Sequence, residues 1–385
     1  MSRRLAAQIQ YALLPFLILI AIFAVAAGGA WHYLVAAMPI ILATFVDELT
    51  GDQHEDGPYL TALLNAYLLS CLPLIAVFTA LLCYYAGGAG PLSGPLEGVF
   101  LTFGIDVAAN REATGMLEFT VAIIGAGLLM GSGAVNVAHE LTHRMNARDY
   151  LVGRWLLAFT FDTTFAIEHV HGHHRNVGTK ADPATARRGE YVLSFVVRST
   201  VFAFLGAFEI EAERARRKGH SPYSPILNRA IRGQFMTLAL IIMAYLIGGW
   251  PGVFVFTVVG LQGKLYLELV NYVEHYGLVR LPGTRIEPRH SWNCNRFVSN
   301  LMLFNLPRHS HHHQFATKPF WDLESLDGAP LMPHGYLTML IIALFPPLWN
   351  AKVEPRLLEW ERNLASDGER EIMRAQREDL GLKAA

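Results

Sequence analysis

The sequence predicts an all-α integral membrane protein: six transmembrane helices carrying a histidine-rich domain on the cytoplasmic side. Three observations carry that prediction. Only 16% of the 385 residues are charged, against about a quarter in ordinary globular chains, while 52% are hydrophobic and the mean hydropathy is +0.30. Uncharged stretches recur at lengths suited to a hydrocarbon core of ~30 Å. Sixteen histidines are present, most of them in four tight groups.

The spans follow in order. No Asp, Glu, Lys or Arg occurs from Leu5 to Val46, and one straight helix of that length would run roughly 63 Å, about twice the hydrocarbon thickness. Two helices near 11–28 and 31–46 fit, with Gly28-Gly29 as the bend and Trp31 and Tyr33 as interfacial anchors. The first is too long, and too directly joined to the second, for a cleaved signal peptide. A third span runs from about Tyr59 to Tyr85 and ends in the breaker-rich stretch Gly87–Gly98. The fourth is Phe119–Ala138, whose Gly125, Gly127, Gly131, Ser132 and Gly133 suit close helix approach. Spans near 234–249 and 252–270 form a second hairpin around Gly248-Gly249-Trp250-Pro251-Gly252. Tyr191–Phe208, with Arg198 in its centre, and Tyr336–Trp349, with Pro346-Pro347, are expected at the interface rather than across it.

Basic residues orient the chain. Lys and Arg number two at Arg3-Arg4, one between residues 85 and 118, fourteen between 139 and 232 and fourteen from 264 onward. Basic segments stay cytoplasmic, so an even number of crossings precedes residue 139, and the acidic stretch 47–58 is cytoplasmic too. The expected organisation is 1–138 membrane helices, 139–232 a cytoplasmic segment with two histidine clusters, 233–270 two further membrane helices, 271–353 a cytoplasmic segment with two more clusters, and 354–385 a charged tail whose Glu359–Arg377 reads as a solvated helix. A formal net charge of -1 and pI near 7.0 supply no field for nucleic acid. Cys71, Cys83 and Cys294 form no CxxC pair, which excludes a disulfide framework, a zinc ribbon and a thiolate iron site.

The clusters are His139-Glu-Leu-Thr-His143; Glu168-His169-Val-His171-Gly-His173-His174; Glu274-His275-Tyr276-Gly277; and Arg308-His309-Ser-His311-His312-His313. Residues four apart share a helix face, so His139 with His143, His169 with His173, and His309 with His313 are each expected to aim two imidazoles at one point. This inventory exceeds what one metal uses and points to two, while imidazole suits Fe, Zn, Cu and Ni alike. If buried and unliganded, so many rings would leave polar groups unpaired at a cost on the order of 1–3 kcal/mol each. Glu140, Glu168 and Glu274 each adjoin a cluster histidine, where a carboxylate ordinarily accepts the far ring N–H of a metal-bound imidazole. The isolated His32, His54, His220, His290 and His334 read as hydrogen-bonding or interfacial residues. His139–His143 is also a literal HExxH, the zinc metalloprotease signature with Glu140 as general base, but that reading needs only one further ligand and leaves the other clusters unexplained. A metal transporter or sensor would place ionisable residues inside the spans, which are almost free of them.

The spacing of these histidines resembles the membrane-bound histidine-rich di-iron enzymes, which include fatty acid desaturases, alkane and xylene monooxygenases and sterol and fatty acid hydroxylases. Asn271-Tyr-Val-Glu-His275-Tyr-Gly-Leu278, His290-Ser-Trp-Asn293, Val298-Ser-Asn300 and Arg308-His309-Ser-x-His-His313 are similar to the alkane 1-monooxygenase branch over roughly residues 11–350. Arg175, Asp182-Pro183 and Ala186-Arg187 extend the match. Carried across by motif, the resemblance implies nine ligands to two non-haem irons: His139, His143, His169, His173, His174, His275, His309, His312 and His313. Asp182 joins the expected outer shell. One departure is His311, which takes the outer-shell position where the family usually has Asp; His171 falls at a variable position and is not a ligand.

The resemblance implies insertion of one oxygen atom from O2 into the terminal methyl of a medium-chain n-alkane, at an active site on the cytoplasmic side of a bacterial inner membrane. An unactivated C–H bond offers a side chain neither an acidic proton nor an electrophile, so a redox metal is required. Electrons must come from outside, since there is no flavin or nicotinamide fingerprint and no four-cysteine rubredoxin site. The family's usual donor is rubredoxin, served by an NADH-dependent rubredoxin reductase, and the charged tail after Glu354 is where a fused donor would attach.

Overall fold

The computed structural model describes residues 8–53, 60–88 and 90–379; Arg3, Arg4, His54 and the expected start of the third span at Tyr59 lie outside them. Among the described residues the chain is helical and has no β-strand, only isolated bridges between Asp52 and Arg296 and between Asn293 and Leu331. Six helices are long and apolar enough to cross a membrane: α1 (Gln10–Ala27), α2 (Gly29–Thr50), α3 (Thr61–Gly87), α4 (Met116–Thr142), α5 (Val192–Arg217) and α6 (Arg229–His275). This set differs from the expected six in two places.

The first is only apparent: the 47 residues of α6 are two helices joined across a kink, the hairpin the sequence predicts. Its helical geometry breaks at Gly249 (φ 59°, ψ -154°), just before Pro251. Arg154 Nη2 donates to Arg229 O at 2.6 Å, and Lys264 Nζ lies 2.6 Å from Asp162 Oδ2. Both limbs therefore return to the segment 154–163. A straight helix would hold residues 229 and 264 about 50 Å apart, so the chain reverses at Gly249. Only glycine adopts this backbone comfortably. The turn abuts the end of α3 so closely that a Cβ on Gly87 would lie 1.7 Å from Gly248 O.

The second is α5, whose charge places it at the interface in the sequence-based expectation. It is a continuous helix long and apolar enough to cross. Its partners nevertheless lie near the histidine clusters along its whole length. Arg198 donates to Pro183 O and Thr185 O, Gly206 packs on Glu168, and Glu211 pairs with Arg229 at 2.7 Å. Leu193, Val197, Val201, Phe202 and Leu205 are exposed, an apolar face turned away from the rest of the chain.

Small residues permit the close packing. A Cβ on Gly125 would come 2.5 Å from Val35 backbone, and Gly127 abuts Gln262. Tyr336–Ala343 (α8, following α7 at His309–Gln314) and Pro346–Asn363 (α9) occupy the second stretch expected at the interface; Tyr336, Met339, Leu340 and Trp349 are buried.

The tail is not the solvated helix expected for Glu359–Arg377. It breaks after Asn363 and continues as α10 (Asp367–Asp379), with Leu357, Trp360 and Met373 buried. Charged residues are internalised in pairs: Arg377 with Glu361 at 2.5 Å, and Glu369 with His290 at 2.7 Å. Burial alone would raise the Glu369 carboxyl, but hydrogen bonds from His290, the Ser366 amide and Arg289 bring it from the ordinary 4.5 down to about 2. A depressed carboxyl stabilises docking fully above its unfolded pKa and loses that contribution as pH falls through the folded one. Protease sensitivity of α10 is therefore expected to rise between about pH 4.5 and about pH 2 in wild type, and to be less pH-dependent in Glu369→Gln.

Candidate metal centre

Four short pieces of helix deliver the nine histidines. His139 lies in the last turn of α4 and His143 directly follows it, His275 is the last residue of α6, His309, His312 and His313 lie on α7, and His169, His173 and His174 occupy a turn after Phe165–Glu168. The structure sorts their nitrogens into two groups, each with its atoms within 4.8 Å of one another: His139, His143, His169, His174 and His312; and His173, His275, His309 and His313.

His139 with His143 and His309 with His313 share a group, as four-residue spacing predicts. His169 and His173 do not. Residues 169–173 form a π-helical turn, whose i→i+5 pattern widens the repeat. His169 thereby aligns with His174, five residues on, at 3.1 Å between Nε2 atoms, while His173 faces His313 at 3.3 Å. The adjacent His312 and His313 likewise feed different groups. One helical turn thus serves both centres.

All nine rings are buried or nearly so, and burial sets their charge. It holds the imidazoles of His169, His174, His309, His312 and His313 well below their ordinary pKa, reinforced by neighbouring rings, and takes His143 to about 3. His173 is the exception: burial lowers it, but the Asp182 carboxylate at Nδ1 overcomes that and leaves it raised. Neutral imidazole is the form that binds metal.

The packing suits a cation. His174 Nε2 faces both His169 Nε2 and His312 Nε2 at 3.1 Å; His309 Nε2 faces His275 Nε2 at 3.2 Å and His313 Nε2 at 2.9 Å. A ring nitrogen holds one hydrogen or one lone pair, so converging Nε2 atoms cannot all satisfy one another. Adjacent ligands of one ion at about 2.1 Å stand about 3 Å apart. His139 Nε2 and His143 Nε2 are buried with no hydrogen-bond partner among the described residues.

The surrounding carboxylates are arranged differently from the expected outer shell. Asp182 Oδ2 accepts from His173 Nδ1 at 2.9 Å and is held by Thr185 Oγ1 at 2.6 Å, which fixes the tautomer that leaves Nε2 facing inward. Glu140 turns away to Arg144 at 2.9 Å and to the Phe320 amide, and among the described residues it makes no hydrogen bond to a cluster ring. Glu168 lies against Gly172 and makes no hydrogen bond to a cluster ring among the described residues. Glu274 Oε2 approaches His309 at the inward Nε2, 3.1 Å away, rather than at the far nitrogen, while Oε1 accepts from Tyr336 Oη at 2.9 Å. His311 stands in neither group; its Nδ1 accepts from the Glu324 amide and its Nε2 from Lys318 Nζ. His171 is exposed beside Arg229, and His290 is a hydrogen-bonding residue as expected, though a buried one.

Sequence reading missed Tyr336, Arg144, and the Asp162–Lys264–Glu268 triad with its two 2.6 Å contacts. Lys264 and Glu268, opposite charges four apart inside an apolar run, were the available signal for the triad. Tyr336 carried none. A small cavity is bounded by His139 and His169 of one group, His309 of the other, Glu274 and apolar residues that include Val135, Leu267 and Val270.

Paired all-imidazole groups at the ends of long apolar helices define a class of membrane metalloenzyme. The fatty acid desaturase family profile matches residues 116–342. The chain is 35% identical over 316 residues to alkane 1-monooxygenase 1 of Pseudomonas aeruginosa, covering 81% of this chain and 77% of that one. It is 31% identical over 346 residues to alkane 1-monooxygenase of Acinetobacter baylyi, with coverages of 88% and 78%. The xylene/toluene monooxygenase hydroxylase component XylM of Pseudomonas putida is 32% identical over 293 residues, with coverages of 76% and 78%. Within the desaturase-like membrane enzymes, the chain belongs to the alkane 1-monooxygenase family.

Three substitutions separate ligand from support. Asp182→Asn is expected to lower metal affinity about 10–100-fold, the usual cost of losing an outer-shell partner, measured by metal retention during chelator dialysis. In the same assay His311→Ala is expected to retain metal and His312→Ala to lose it; equal loss in both would remove the distinction.

Proposed function

We propose that the two groups hold two non-haem irons, five histidines on one and four on the other, and that the enzyme hydroxylates the terminal methyl of medium-chain n-alkanes to 1-alkanols. The observation that carries this reading is the small, largely apolar cavity whose wall includes histidines of both all-imidazole groups. When bound, the irons supply the O2 activation that no side chain can perform. The balanced reaction is RH + O2 + 2e⁻ + 2H⁺ → ROH + H2O. Val135, Leu267 and Val270 position an apolar chain and exclude water, and Asp182 orients His173. The protease alternative is disfavoured because Glu140, its required base, is committed to Arg144 and the Phe320 amide.

The electrons are assigned to rubredoxin, reduced in turn by an NADH-dependent reductase. The concentration of Lys and Arg after residue 139 supports an inner-membrane protein with its metal groups facing the cytoplasm. Relatedness to XylM makes aromatic methyl groups the second substrate class to assay. Metal analysis tests the centre: about two irons per chain are expected from nine nitrogen donors, whereas one zinc and no iron would contradict the proposal.

A further inference from the structure

A substrate with no polar atoms can be selected only by shape, so the walls of the space leading to the metal groups carry specificity. Two small apolar cavities lie along the second limb of α6. The inner one, about 20 Å³, is the cavity bounded by His139, His169 and His309. The outer one, also about 20 Å³, lies among Pro39 and Ala43 of α2, Leu128 of α4 and Leu337 of α8. Tyr266 lines both. Its ring rests on Gly131, where a Cβ would come 2.2 Å from Tyr266 Cγ, so the backbone of α4 itself forms the seat. Gly131 opens the π-helical segment Gly131–Asn136, a local widening that exposes this backbone to the ring.

We propose that Tyr266 is the residue that sets the chain-length limit. The reacting methyl occupies the inner cavity, and the methylenes behind it reach the outer cavity only past the Tyr266 ring. The ring's bulk, not its hydroxyl, decides how long a chain can be seated. This rests on the alkane hydroxylase reading above and adds to it a selectivity determinant. An apolar pocket discriminates by about 10–200-fold per methylene, so removing a shared aromatic wall has a measurable effect on the product ratio.

The experiment is a competition between n-octane and n-hexadecane in membranes supplied with reduced rubredoxin, with 1-alkanols quantified and metal content measured in parallel. Tyr266→Ala is expected to raise the hexadecanol-to-octanol ratio by about tenfold or more. Tyr266→Phe, which keeps the ring, is expected to hold the wild-type ratio, and Leu128→Phe, which fills the outer cavity, to lower it. An unchanged ratio in Tyr266→Ala at wild-type metal content would overturn the assignment. So would a shift in Tyr266→Phe as large as that in Tyr266→Ala. Should Tyr266→Ala not accumulate, Tyr266→Leu is expected to raise the ratio and Leu128→Phe to lower it, and wild-type ratios in both at wild-type metal content would overturn the assignment equally. A wild-type enzyme that carries metal but forms no alkanol from either substrate would instead refute the functional reading, and this inference with it.

Discussion

His275→Ala is expected to lower iron content and alkane hydroxylation more than any change to the surrounding carboxylates. His275 is 1% exposed, and its Nε2 lies 3.2 Å from that of His309. It supplies one of only four nitrogens in its group, so its loss leaves three donors in a dry pocket that water fills poorly. Outer-shell changes typically cost about 10–100-fold, and removal of a direct ligand should exceed that. Glu140→Gln is the control. Under a zinc protease mechanism it would abolish activity and His275→Ala would matter little. Under the two-metal reading the order reverses, because Glu140 serves Arg144 rather than the centre. Full iron and near-normal turnover in His275→Ala would remove it from the ligand set.

Lys264→Met is expected to be the most destabilising single substitution outside the metal groups. Lys264 sits between Asp162 and Glu268 at 2.6 Å from each, with Glu268 1% exposed. Removing the cation strands two carboxylates away from water, at a cost of about 3–5 kcal/mol. The triad also ties the second limb of α6 to the segment that follows Ala158. Neutralising all three positions together, as Asp162→Asn, Lys264→Met and Glu268→Gln, is expected to recover most of the loss, since no charge then remains unpaired. Unfolding in mixed micelles measures both. A single variant as stable as wild type would show that the triad is open to water.

How far the structure was legible in the sequence depended on whether a local pattern carried the information. The α6 reversal was readable because Gly248-Gly249-Trp250-Pro251-Gly252 cannot continue a helix, and Gly249 is where the backbone departs. The membership of the histidine groups was harder. An interval of four residues predicts a shared face only in an α-helix, and the π turn at His169–His173 moved His173 to the other group. His275 has no partner at helical spacing, so only its resemblance to a known motif singled it out. The docked tail was missed because charge averaged along Glu359–Arg377 conceals that Glu369 and Glu361 meet partners from elsewhere and that Arg377 folds back on Glu361. Tyr336 reaches Glu274 across 62 residues, and no periodicity reports such a contact. Long-range pairing was the illegible part.

The most direct test of the central claim is the source of the inserted oxygen. Membranes containing the enzyme, reduced rubredoxin and n-octane would be incubated under oxygen-18 gas in ordinary water, and 1-octanol analysed by mass spectrometry. Incorporation of one oxygen-18 atom per 1-octanol is the predicted result. Unlabelled 1-octanol, with its oxygen drawn from water, would contradict it.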